Sequence, residues 1–284
     1  MTPTDWQTAF MNDARTIEEL VECALTEADD DLVGDAICLL HLRATRPVLD
    51  AALALSESRI AQERELGADI LGQLGCYGQQ PHPFFDETVA RLIAMLPDEQ
   101  EVGVLNAIGV GLGHRHDARG VEPLSRLREH PHEDVRYGVV MGLAGQNDPL
   151  AIQTLIGLTR DEVTIVRDWA TFTLGVLCDL DTPAIREALW QRTDDLDDNT
   201  RHEALVGLAQ RHDERIVPKL IVELQADTVY SLAIEAARDL GSPQLLDTLR
   251  QLERVELGDD FNKLIQNAIA SCTKNAAASL PSDF

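Results

Sequence analysis

Lysine is almost missing from this chain. It occurs only at Lys219, Lys263 and Lys274 in 284 residues, and Lys plus Arg number 24 against 49 Asp plus Glu, for a net charge of −25. Phosphate recognition needs Lys and Arg to displace counterions, so this balance argues against nucleic acid as a direct ligand. Aromatic residues make up 4%, and the apolar mass is carried by Leu, Ala, Ile and Val, which suits helices packed with close backbones. No apolar run reaches the roughly 18 residues of a membrane span. The start, Met1-Thr-Pro-Thr-Asp5-Trp6, lacks a basic stretch followed by an apolar one. We therefore expect no signal peptide and a cytoplasmic address. Cys23, Cys38, Cys76, Cys178 and Cys272 are odd in number and scattered, without a C-x-x-C pair. They read as small buried hydrophobes rather than a metal or redox set.

What the chain does contain is a motif that returns every 31 to 38 residues: Leu40-His41, Leu74-Gly75, Leu112-Gly113, Leu143-Ala144, Leu174-Gly175, Leu208-Ala209 and Leu240-Gly241. Each copy ends a helical apolar pattern. Between Val135 and Arg160, for example, Val135, Val139, Val140, Leu143 and Ala144 form one stripe. A break at Gly145 to Pro149 follows, and then a second stripe through Ile152, Leu155, Ile156 and Leu158. Neither helix can bury its stripe alone, so a core forms only when pairs stack. Asp117, Asp148 and Asp213 stand four residues after the motif and are expected to cap the second helix. Asp179 or Asp181, and Ser242 before Pro243, fill that place in other copies. Eight residues before the motif's end stand Arg136, Arg167 and Arg201, while Leu105 and Ala233 replace the arginine elsewhere.

Asp134-Val135-Arg136 with Gly142-Leu143-Ala144 and Asp148-Pro149, and Val166-Arg167 with Leu174-Gly175, resemble HEAT repeats, in particular the short HEAT-like repeats of phycobilin lyase proteins. The resemblance covers about residues 30 to 257 and is clearest from 103 to 242. It implies an all-α fold: a right-handed α-solenoid of about seven stacked antiparallel helix pairs. It also implies that Arg136, Arg167, Arg201, Asp148 and Asp213 take part in hydrogen-bonded ladders between repeats. The expected organisation is N-terminal capping helices over 1–28, with Trp6, Phe10 and Met11 on the first. A repeat array over 29–257, a closing helix over 258–273 and a disordered tail over 274–284 follow.

Site chemistry is sparse. His114 and His116 are separated from His130 and His132 by a helix, too far for one ion. Gly109, Gly111 and Gly113 lie in a helical stripe and serve close packing rather than phosphate binding, because no strand precedes them. The turn from Cys76 to Phe85 is enlarged and carries three aromatics. No cofactor or metal is expected. Acids cluster in the loops between repeats, at Asp29–Asp31, Asp98 with Glu99 and Glu101, Glu133-Asp134, Asp161-Glu162, Asp194 to Asp198, and Asp259-Asp260. They read either as helix caps and solubilising charge or as a docking strip for a basic partner.

Polar positions on the second helix of each pair, which lines the concave face in HEAT folds, are the other expected contacts. These are Arg126, Gln153, Glu187, Trp190, Gln191, Lys219 and Glu223, joined by Asp194, Asp195, Asp197 and Asp198 of the acidic edge. The favoured reading is a non-catalytic module that binds a basic protein, such as an immunity or antitoxin-type inhibitor of a nucleic-acid-directed toxin. The alternatives are a phycobilin lyase-like enzyme or cofactor chaperone, and an assembly scaffold. The oligomeric state is not readable from the sequence.

Overall fold

A computed structural model describes residues 13–76, 82–255 and 258–278. The expected first helix through Trp6, Phe10 and Met11 lies outside them. Sixteen α-helices follow one another, and no strand occurs among the described residues. They are α1 (Ile17–Thr26), α2 (Asp30–Arg43), α3 (Arg46–Ser56), α4 (Ala61–Gln73), α5 (Phe85–Met95), α6 (Val102–Arg115), α7 (Val121–Ser125) and α8 (Glu133–Leu143). Then come α9 (Pro149–Leu158), α10 (Thr164–Gly175), α11 (Pro183–Arg192), α12 (Asp198–Gln210), α13 (Val217–Leu224), α14 (Ser231–Leu240), α15 (Leu246–Leu252) and α16 (Asp259–Ala278). The chain forms two compact units, residues 1–151 and 152–284, with the boundary inside α9.

In each unit the helices that carry the motif form one row. In the first unit α4 packs on α6 and α6 on α8, with α3, α5 and α7 as the second row. In the second unit α10 packs on α12, α12 on α14 and α14 on α16, with α11, α13 and α15 alongside. Glycines let the first row close up. A β-carbon on Gly109 would lie 2.5 Å from the Gly138 carbonyl oxygen, and one on Gly207 would lie 2.5 Å from the Gly175 Cα. Gly72 and Gly111 face each other in the same way across α4 and α6. The motif's glycine therefore has two jobs. At Gly113 and Gly175 it permits backbone contact, whereas Gly241, with φ +62°, turns the chain out of its helix.

The caps depart from expectation in two copies. Thr182, not Asp179 or Asp181, caps α11 by accepting from the Ile185 N–H, and Asp181 pairs with Arg186 instead. Ser242 makes no cap bond; its hydroxyl donates to Glu214. Of the cysteines, Cys178 and Cys272 are buried but Cys23, Cys38 and Cys76 only partly so. The last helix continues to Ala278, beyond the boundary expected at residue 273.

Candidate functional site

The arginine at the fourth position of a first-row helix organises the edge where one pair meets the next. Arg64, Arg136, Arg167 and Arg201 each donate to the carbonyl six residues back: Ser58, His130, Asp161 and Asp195. Arg64, Arg167 and Arg201 also reach forward to a carboxylate. Arg64 makes a two-pronged pair with Glu99, Arg167 makes one with Asp195 at 2.9 and 3.1 Å, and Arg201 meets Glu223 at 2.8 Å. The planar fork of guanidinium suits this geometry as lysine would not. Ladders are present, then, but the carboxylates in them are Glu99, Asp195 and Glu223 rather than the turn aspartates. Asp213 instead pairs with Arg215 and Arg186, and Asp148 accepts from the Leu150 N–H.

Glu99 and Asp195 thus turn inward from their loops, and Glu223 turns inward from α13. The Asp195 side chain is 5% exposed. Burial alone would raise its pKa, but Arg167 and the Asp197 N–H hold it below the usual carboxylate range. Asp197 caps α12 through Thr200. Glu223 accepts from Arg201 and meets Nε2 of buried His202 at 2.8 Å. Asp195, Asp197 and Glu223, expected as partner contacts, each hold a structural place within the chain. In the loop before α8, histidines take over: His132 caps the helix and His130 accepts from the His132 N–H.

Other acids at the edge point to solvent, among them Asp31, Asp98, Glu133, Glu162, Asp194 and Asp259. Apolar side chains stand exposed beside them. Leu196 is 98% exposed in the midst of Asp194, Asp195, Asp197 and Asp198, and Ile165 at the start of α10, Tyr230 and Val255 are exposed in the same unit. The Tyr230 hydroxyl donates to Asp198 at 2.8 Å, which also pairs with Arg201. Leu196 was missed in the sequence because a leucine before a capped helix reads as one more core residue.

Glu187, Trp190, Gln191, Asp194 and Lys219 come together on α11, α13 and the loop after α11. Trp190 is half-buried, with the Arg215 guanidinium 4.9 Å and the Lys219 ammonium 5.0 Å from its ring centre. Lys219 also pairs with Asp194 at 2.5 Å, and Gln191 bridges Glu187 and Arg160. Trp190 is thus engaged within its own chain. Gln153 is exposed on α9, and Arg126, just past α7, pairs with Glu122.

Arg115 and Arg211 are buried, as Arg136 is. Arg115 is 3% exposed and donates to the carbonyls of Leu71 and Leu74 at the end of α4; burial pushes its pKa down to about 10. Arg211, 8% exposed, donates to Leu174, Gly175, Cys178, Leu180 and Gly207. Each stands two residues past its motif and neutralises carbonyls left over at the C-terminus of the preceding first-row helix.

Carboxylates also line up on the first row of the second unit. Glu203 of α12 is pushed up to about 7, first by burial and then by the charges of Asp168 on α10 and Glu235 on α14. One oxygen of Asp168 is buried without a hydrogen-bond partner. Because the folded pKa of Glu203 lies above its ordinary 4.5, the folded state holds a proton that the unfolded chain has released. Stability therefore falls as pH rises through that window. After discounting for solvent screening of a half-buried group, the loss is about 1–2 kcal/mol. Glu203→Gln should melt above the parent at about pH 8 and with it at about pH 4. Coincident melting curves across the range would mean that the carboxylate bears no such strain.

Residues 78–175 match the family model for HEAT repeats. Protein YibA of Escherichia coli (strain K12) is 34% identical over 136 residues, which are 48% of this chain and 47% of that protein. The chain spans about half the length of the curated relatives it matches. Among solved structures, the X-ray structure of E. coli YibA superposes with a TM-score of 0.76 at 23% identity, over 96% of this chain and 98% of that one. The complex of CpcE and CpcF of phycocyanin lyase from Nostoc sp. PCC7120 scores 0.48 at 19% identity, over 92% and 96%. No described helix is long and apolar enough to cross a membrane. The stacked pairs and the arginine ladder agree with the match to HEAT repeats over residues 78–175.

Proposed function

We propose that the protein is a non-catalytic interaction module that holds a basic protein along the inter-repeat edge of its second unit. The observation that carries this reading is Leu196, fully exposed among aspartates on a loop whose inward carboxylates are already satisfied. An apolar anchor standing among acids favours a partner that presents an apolar side chain within a basic surface. The chain's own cations support the same view, since the ladder and capping arginines are spent internally and leave a strongly negative exterior. Long-range attraction from such a field speeds association with a basic partner. An inhibitor of a nucleic-acid-directed toxin is one form of the reading, with the edge standing in for a phosphate backbone. An assembly partner within a larger complex is another. The five free thiols accord with a cytoplasmic setting.

The test is affinity capture at low salt, followed by reconstitution of the purified pair. The captured partner should be basic, and its affinity should fall steeply with ionic strength. Leu196→Asp should weaken binding about tenfold or more while leaving the helical circular dichroism unchanged. A salt-insensitive complex, or one indifferent to Leu196, would sink the reading.

A further inference from the structure

The first unit contains a cleft that the edge does not use. It holds about 450 Å³, within the range of small-ligand sites, and opens between α2 and α6 over α4. Its walls are partly apolar, with Leu25, Ile37, Leu66 and Val110, but two carboxylates project from its floor: Glu65 and Asp69. These are one turn apart on the same face of α4, about 6 Å along the helix. Glu65 leans over Gly103 at the start of α6, where a side chain would collide with its carboxyl. Partial burial, with Asp69 adding to it, raises the Glu65 pKa. One oxygen of Asp69 accepts from Gln73, and the other lies 3.3 Å from Nε2 of His41. His41 is 3% exposed, and that nitrogen has no hydrogen-bond partner. It stands one turn beyond Ile37 on the same face of α2, which brings that buried nitrogen to the Asp69 carboxylate behind the cleft. Two carboxylates between apolar walls suit a ligand whose positive charges are joined by methylenes.

We propose that this cleft binds an aliphatic diamine or polyamine, with successive ammonium groups on Glu65 and Asp69 and the methylenes between them against Leu66, Leu25 and Val110. A four-carbon spacer suits the rise of about 6 Å between Glu65 and Asp69 along α4. The amine acts as a counter-charge that closes the cleft.

Isothermal titration of the full chain with 1,4-diaminobutane and with spermidine tests this, using n-butylamine as the single-charge control. One-to-one saturable binding is expected. Glu65→Gln and Asp69→Asn should each weaken it about tenfold or more, n-butylamine should bind about tenfold more weakly than the diamine, and Glu203→Gln in the other unit should bind normally. Circular dichroism of each variant establishes that it is folded. Non-saturating heats shared by every variant would show only counterion exchange on an acidic chain and would overturn the proposal. Equal binding of n-butylamine would overturn it as well, marking the cleft as a socket for a single lysine side chain.

Discussion

Replacing Arg211 by methionine is expected to destabilise the second unit by about 3–5 kcal/mol. The methionine can fill the space of the aliphatic stem but cannot donate. Carbonyls of Leu174, Gly175, Cys178, Leu180 and Gly207 then lose the group that serves them all. All but that of Gly207, which belongs to α12, crowd the C-terminus of α10 and its turn, so the loss is also one of charge at the negative end of a helix. Burial lowers the Arg211 pKa, yet arginine stays protonated at neutral pH where a buried lysine would surrender its proton. Arg211→Lys should therefore recover only part of the loss. Urea unfolding followed by circular dichroism measures both. A midpoint for Arg211→Met within error of the parent would mean that water serves those carbonyls equally well.

Gly207→Val carries the other large effect, a loss of about 3 kcal/mol or more. The new side chain has nowhere to go. Its β-carbon would lie 2.5 Å from the Gly175 Cα and 3.1 Å from Leu189 Cδ1, and the first atom is backbone that cannot swing aside. α10 and α12 must separate, which opens the row on both sides. Gly34→Ala is the matched control. Nothing lies within 4 Å of a β-carbon there, so the change should stabilise by about 0.5–1 kcal/mol through helix propensity alone. If both variants moved stability by the same small amount, the close approach of the two helices would be wrong.

These two residues show what the sequence could disclose. The glycines were legible because small residues recurring at the end of an apolar stripe have few explanations besides close packing. Arg136, Arg167 and Arg201 were legible by offset. Arg64 was not, since it stands eleven residues before Gly75 rather than eight, although it takes the same fourth position in its helix. Arg211 was hidden for another reason: one arginine after a helix looks like any solvated arginine until the carbonyls around it are placed. The acidic loops were visible as charge, but sequence alone could not divide Asp195, which turns inward, from Asp194, which does not. The cleft over Glu65 and Asp69 was out of reach altogether, because its walls come from helices far apart in the chain.

The arginine ladder gives the array a sense, as hooks do on a ratchet. Each rung holds the backbone of the loop behind it and, at Arg64, Arg167 and Arg201, a carboxylate ahead, while Arg115 and Arg211 reach back to the helix before. Joints of this kind are not reversible. A repeat copied into the interior would arrive with its hook and its eye both matched. One added at an end would leave either an arginine or a carboxylate unclaimed. Such an architecture lengthens more readily from within than from its tips.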